Sequence, residues 1–257
     1  MKVFKHLQHG TGKIGRTALQ GLYYSVSALP SNRLDFQQLT HQVYFIGVLT
    51  SPIIILSSLF IGAVLALQGN YILSMFASEN QLGQMITLTT FRELGPVISS
   101  LLFTGRAGTA ITAEIGSMRL HEQLDALSSL AIPPQRYCFM PRLLAGAITL
   151  PLLCILFNTF TLIGGYLVAI YWLHLDQGLF WIDIKGSAKF YEDILPGLFK
   201  AFCFSIIIGM VAINRGLRAE KSAQGVAKAT TTTVVIASIS ILFADLLLTI
   251  LLMRAWV

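Results

Sequence analysis

The chain reads as an all-α, polytopic membrane protein, with about five transmembrane helices, an N-terminal interfacial amphipathic helix and a cytoplasmic coupling helix. Three observations predict it. Apolar residues make up 54% of the 257 and charged residues only 12%, about half the share near 25% of a soluble domain. The mean hydropathy is +0.70, so a soluble fold could not cover its own surface. The basic residues, finally, gather in alternate loops. Disorder, coiled coil and a small secreted scaffold are excluded by the same figures. A net charge of +6 therefore speaks for membrane orientation rather than for nucleic acid.

Residues 1–30 are no signal peptide, because Lys13 and Arg16 interrupt the place of an apolar core and no small-residue cleavage site comes after them. Val3, Leu7, Ile14, Ala18, Leu22, Val26 and Leu29 recur at helical spacing with basic residues between them. That pattern predicts a helix lying in the cytoplasmic interface. A bilayer core takes about 20 apolar residues per helix. Spans are expected near Val43–Leu67, Gly83–Phe103, Leu143–Leu173, Leu198–Ile213 and Val234–Met253.

Orientation comes from Lys and Arg between the spans. Lys2, Lys5, Lys13, Arg16 and Arg33 precede the first, and the next loop, Gln68–Leu82, has none. Arg106, Arg119, Arg136 and Arg142 come after the second. His174–Pro196 holds only Lys185 and Lys189, against Asp176, Asp183, Glu192 and Asp193. Arg215, Arg218, Lys221 and Lys228 come after the fourth. The N-terminus is thus expected in the cytoplasm and the C-terminus across the membrane.

Familiar chemistries fail on inspection. Gly10-Thr-Gly-Lys13 lacks the spacing of a phosphate loop, and His121-Glu122 begins HExxD rather than the zinc-protease HExxH. The three cysteines, Cys138, Cys154 and Cys203, have no CxxC spacing, so they read as packing thiols. No metal site, catalytic residue or cofactor is expected in this chain, and it has no visible means of binding ATP.

What remains is charge at membrane depth. Phe91-Arg92-Glu93-Leu94-Gly95-Pro96 lies in the second span, where each ion costs about 2.5–3.5 kcal/mol on insertion scales. Pro96 has no N–H, so the Arg92 carbonyl loses its helical donor. A charged pair beside an interrupted helix makes a polar site, or a buried ion pair that only fixes packing. Asp245 lies deep in the fifth span and needs a partner, for which Arg92 and Lys200 both qualify. Lys200 sits in the first turn of the fourth span and on its own reads as snorkelling outward.

Gly105, Gly108, Thr109, Thr112, Ala113 and Gly116 form a small-residue stripe for close helix approach, and Gly62 and Ala66 repeat it in the first span. Ser117–Leu130 is expected as a short cytoplasmic helix, with Leu120, Leu124, Leu127 and Ala131 on one face and Arg119, Glu122 and Asp125 off it. Such a helix on a transporter without an ATP site reads as a dock for an ATPase, or else as one resting on lipid headgroups.

FRELGPV, LLFTGRAGTAITAEIGSMR, EQLDAL and GVAKATTTTVV together resemble the MlaE-type permeases of lipid ABC transporters. The resemblance covers essentially the whole chain, 1–257, as one permease domain. One departure is visible, since the family often reads GVGRATT where this chain has Gly225-Val-Ala-Lys-Ala-Thr-Thr231; the charge is kept. The resemblance implies a homodimer in the bacterial inner membrane. Its partners would be a cytoplasmic ATPase that uses the ATP, a STAS-domain accessory protein and a periplasmic MCE-domain hexamer. The substrate would be phospholipid, moved between the inner and outer membranes to maintain outer-membrane lipid asymmetry. The resemblance carries the family's charged cavity residues onto Arg92, Glu93, Lys200 and Asp245, and its lipid pocket onto Leu65, Gln68, Leu73 and Phe76. ATPase coupling falls on Arg119, Glu122, Leu124 and Asp125.

The rival reading is a proton-coupled secondary transporter of an amphipathic substrate, with Glu93 and Asp245 carrying protons. Five spans without a visible inverted repeat weigh against it. A purely structural anchor would not need a broken, charged second helix.

Overall fold

The computed structural model describes residues 33–130, 134 and 138–255, and the expected interfacial helix at 1–30 lies outside them. Among the described residues the chain is helices joined by short turns, with no strand. Helix α1 (Arg33–Ile46) passes through a 3-10 turn at Val48–Thr50 into α2 (Ser51–Ser74). Helices α3 (Leu82–Thr89), α4 (Gly95–Phe103) and α5 (Thr109–Leu120) come next, then the short α6 (Gln123–Ser129). The remaining four are α7 (Met140–Tyr171), α8 (Gln177–Ser187), α9 (Leu195–Leu217) and α10 (Ala223–Ala255).

Proline punctuates these starts. Pro52, Pro96, Pro141 and Pro196 each sit in the first turn of α2, α4, α7 and α9, where the fixed φ suits a helix. Asp176 caps α8, its carboxylate accepting from the Leu179 N–H at 2.9 Å.

Among the described residues four segments are long and apolar enough to cross a membrane: Gln37–Ser74, Met140–Tyr171, Phe190–Leu217 and Ala223–Leu252. The expected second span is more polar, and it takes an unusual form. Helices α3, α4 and α5 are joined by π turns at Thr90–Leu94 and Thr104–Gly108, with right-handed helical backbone at every junction. They make one rod from Leu82 to Leu120, which at about 1.5 Å per residue is ~58 Å long. Single π turns inside helices gather at functional positions, and Arg92, Glu93 and Arg106 all lie on these two.

The main core joins the rod to its neighbours through Phe103, Ala107, Ile111 and Ile115, packed with Phe157 of α7, Phe204 and Ile208 of α9 and Ile241 of α10. A smaller cluster forms at the end away from the basic loops, where Ala66, Leu82, Ile86, Ala169, Phe180 and Ile184 meet. Helices α2 and α7 cross most closely. A Cβ on Gly62 would fall 3.0 Å from the Gly165 nitrogen and nearer still to the Thr161 carbonyl, and one on Gly164 would strike the Leu59 backbone. Glycine is required at that crossing. Outside it, Leu56, Phe60, Val64, Leu67, Tyr71 and Met75 leave α2 as an exposed apolar stripe, as a lipid-facing helix must.

One expectation needs correction. Ser117–Leu130 is not one helix: Glu122 adopts left-handed backbone at φ 57°, which ends the rod at Leu120 and leaves α6 only seven residues. The small-residue stripe also divides. Gly108 faces Ile208 and Gly116 faces Val226, but among the described residues nothing lies within 4 Å of a Cβ at Gly105. Thr112 does more than pack. Its hydroxyl lies 2.9 Å from the Thr233 hydroxyl and 3.2 Å from the Ala212 carbonyl, tying the rod to α10 and α9.

Candidate functional site: a charged cluster on the broken helix

The π turn at Thr90–Leu94 owes its form to Gly95-Pro96 at its C-terminal edge. Pro96 cannot donate to the Arg92 carbonyl, and the Gly95 N–H reaches back to Thr90 instead. The freed Arg92 carbonyl is taken by Lys200 of α9, whose Nζ donates to it at 3.1 Å. The same ammonium donates to Glu93 Oε2 at 2.8 Å and to the Thr249 hydroxyl of α10 at 2.7 Å. Its three hydrogens are then used, and Asp245 Oδ1 stands 3.1 Å away as a further counter-charge. Lys200 is only 2% exposed. It therefore does not snorkel; three helices share it.

Arg92 makes a different pair. Its Nε donates to Asp193 Oδ1 at 2.6 Å, and Asp193 is 1% exposed. The second Asp193 oxygen accepts from the Lys189 N–H at 2.9 Å. Asp193 sits on a third π turn, Phe190–Ile194, which opens α9. Two π turns thus face each other, one carrying the cation and the other its carboxylate. Gly197 permits the approach, since a Cβ there would strike the Phe91 carbonyl. The Arg92 side chain itself is 53% exposed in the single chain, and its terminal amino groups have no partner among the described residues.

The candidates for Asp245 are thereby separated: Lys200 takes it and Arg92 does not. Asp193 was hidden from the sequence among the acids of a loop. Its one signal is Pro196, which in first-turn position puts the helix start close behind Asp193.

The four expected apolar-pocket residues fall on and just beyond the last turns of α2. Leu65 and Leu73 pack on the smaller core cluster. Gln68 is exposed, and so is Phe76, at 74%. The structure brings none of them into hydrogen-bonding contact with the charged cluster.

The expected ATPase-coupling residues gather at the basic end. Arg119, Leu124 and Asp125 line a cleft of about 330 Å³ with Ser128, Pro134, Phe139, Leu217 and Lys221. Glu122 pairs with Lys221 at 3.0 Å, and Asp125 stands 3.7 Å from the same ammonium. Lys221 belongs to the turn between α9 and α10, so this turn is tied to α6. The hydrogen bond to Glu122, then the charges of Glu122 and Asp125, hold the Lys221 pKa above its ordinary 10.5.

Two cations counted above only for orientation, Arg142 and Arg106, take structural roles. Buried Arg142 pairs with Glu114 at 2.8 Å, bracing the rod against α7. Arg106 donates to the Phe45 carbonyl and stands 5.1 Å over the Phe45 ring, so it pins the bend between α1 and α2. Cys138, Cys154 and Cys203 are free thiols. Among the described residues no group of three His, Cys, Asp or Glu side chains is placed to hold a metal.

Comparison with known proteins adds a family. The family described as Permease MlaE matches residues 39–251. The intermembrane phospholipid transport system permease protein MlaE of Haemophilus influenzae is 41% identical over 242 residues, which is 94% of this chain and 92% of that protein. A probable ABC transporter permease protein of Rickettsia typhi is 36% identical over 98% of this chain and 96% of its own. Another from Synechocystis is 29% identical over 84% of this chain and 82% of its own.

Proposed function

The chain belongs to the MlaE permease family, and from that premise we propose that it is the permease subunit of an ABC transporter moving phospholipids between the inner and outer membranes, thereby maintaining outer-membrane lipid asymmetry. The observation that carries the reading is Arg92. It is a half-exposed guanidinium on a broken transmembrane helix, buttressed by Asp193 yet with its terminal donors unpartnered among the described residues. A phosphate diester is the anion such a fork fits.

The mechanism rests on the two cations. Lys200, with its hydrogens spent on Arg92, Glu93 and Thr249 and with Asp245 as counter-charge, fixes the rod to α9 and α10. Arg92 then meets the headgroup. Leu65, Gln68, Leu73 and Phe76, at the outer end of α2, form the wall for acyl chains. Two copies of the chain enclose the cavity in the bacterial inner membrane, with the N-terminus cytoplasmic and the C-terminus periplasmic. The basic residues at one end of the bundle support that orientation.

The chain binds no nucleotide of its own. A cytoplasmic ATPase docks at Arg119, Glu122, Leu124 and Asp125 and uses the ATP, while a STAS-domain protein and a periplasmic MCE-domain hexamer complete the assembly. The relatives named as ABC transporter permeases support the ATPase.

The test is reconstitution in proteoliposomes with the ATPase, tracking labelled phospholipid to an acceptor. ATP-dependent transfer that falls with Arg92→Ala is expected. Transfer driven by a proton gradient without ATP would replace this reading with the secondary transporter.

A further inference from the structure

We infer that Asp193 is a positioning residue for the substrate headgroup: its carboxylate fixes the Arg92 guanidinium by Nε, so that both terminal amino groups point at the lipid phosphate. The inference rests on the phospholipid reading above and deepens it.

The geometry carries it. An arginine has five N–H donors in a rigid planar fork. The 2.6 Å contact is to Nε, on the side edge of the fork, which leaves the end edge formed by the two terminal amino groups without a partner among the described residues. The burial is lopsided in the same sense, with Asp193 1% exposed and Arg92 53%.

Asp193 is itself held. Its other oxygen takes the Lys189 N–H at 2.9 Å, and its own N–H donates to the Lys189 carbonyl at 2.9 Å. The carboxylate is therefore clamped to the backbone that opens α9, and it cannot swing to track Arg92. Lys200 offers no substitute cation. Its hydrogens already go to Arg92, Glu93 and Thr249. Of the two positive side chains in the cluster, the one Asp193 holds is the one with donors unpartnered among the described residues.

The experiment separates aiming from packing by ligand chemistry. The complete complex is purified with its ATPase and exposed to an equal mixture of phospholipid and diacylglycerol of the same acyl chains, and bound lipid is read by native mass spectrometry. The wild type is expected to prefer the phosphate-bearing lipid. Asp193→Asn, nearly isosteric, is expected to lower that preference about tenfold, the scale of one charge-assisted hydrogen bond, while diacylglycerol binding holds. The exchanged pair Arg92→Asp with Asp193→Arg restores the attraction between the rod and α9 but moves the fork. It is expected to assemble normally and still lack the preference.

If Asp193→Asn lowers both lipids alike, or the exchanged pair recovers the preference, Asp193 is a packing residue and the inference falls. If Arg92→Ala keeps the full preference, the headgroup reading itself falls. If Arg92→Ala loses the preference and Asp193→Asn keeps it, only the positioning role is wrong.

Discussion

The Nζ of Lys200 lies 3.1 Å from the Arg92 carbonyl oxygen, the acceptor that Pro96 deprives of its helical donor. A lysine on one helix thus completes the hydrogen bonding of a break in another. The break and the cation stabilise each other, because an unsatisfied carbonyl and an unpaired ammonium are both expensive at membrane depth. Once that contact is made, Glu93, Thr249 and Asp245 close around the ammonium from the rod and from α10.

Removing the lysine is therefore expected to cost more than its own contacts. Lys200→Met leaves Glu93 and Asp245 as neighbouring negative charges and orphans the Arg92 carbonyl. Breaking one side of a buried ion pair costs about 3–5 kcal/mol. Thermal unfolding in detergent should show a large loss for Lys200→Met and a partial recovery when Asp245→Asn is added. Equal stability of the single and double variants would mean that Asp245 is not held by Lys200.

Glycine at the α2–α7 crossing gives a second prediction with an internal control. A Cβ at Gly164 would lie 2.9 Å from the Leu59 carbonyl carbon, and backbone cannot move aside as a side chain does. Gly164→Ala is expected to destabilise by about 1–3 kcal/mol through overpacking. Among the described residues Gly186 in α8 has nothing within 4 Å of a Cβ, so Gly186→Ala should be neutral or stabilise by about 0.4–1 kcal/mol. Denaturation of the two variants side by side checks the sign of each.

The elements that the sequence predicts well are those where a single physical effect dominates. Apolar length locates the spans, and Pro96 locates the break, because each acts through its own backbone. What escapes is pairing across helices. Lys200 reads as snorkelling from its place near a helix start, but α9 begins at Leu195, after a π turn, and that register turns Lys200 inward. Asp193 lies 101 positions from its partner Arg92, and no local pattern announces such a contact. The cytoplasmic segment is misread for a related reason. Its leucines keep helical spacing across His121-Glu122, while the tether from Lys221 and the left-handed Glu122 backbone break the helix there.

Asp183 of α8 supplies a pH prediction. Its Oδ2 is enclosed without a hydrogen-bond partner, and burial pushes the carboxyl above its ordinary 3.8. An acid whose folded pKa is raised binds its proton more tightly in the folded state. Stability from this group therefore falls as pH rises from 3.8 through the raised value, and recovers on acidification. Asp183→Asn should match the wild type near the acid end of that window and exceed it at neutral pH. Melting temperatures of both proteins across the acid range check this, and parallel curves would show that the carboxylate finds a partner or water.

At the basic end, Lys221 joins α6 to the turn between α9 and α10, the two helices whose far ends hold Lys200, Asp245 and Thr249. A push on α6 can thus reach the charged cluster along two rigid helices. Because the Lys221 pKa is raised above 10.5, the tether is fully charged below that value and is lost only as pH climbs past the raised one. Across pH 6–9 it should therefore not change. Salt should weaken it, since the screening length shrinks from about 8 Å at 0.15 M to about 3 Å at 1 M. Glu122→Lys with Asp125→Lys is expected to abolish co-purification of the ATPase. Lys221→Met is expected to retain the ATPase but lower phospholipid moved per ATP hydrolysed, and unchanged coupling in that variant would rule out the turn between α9 and α10 as the route.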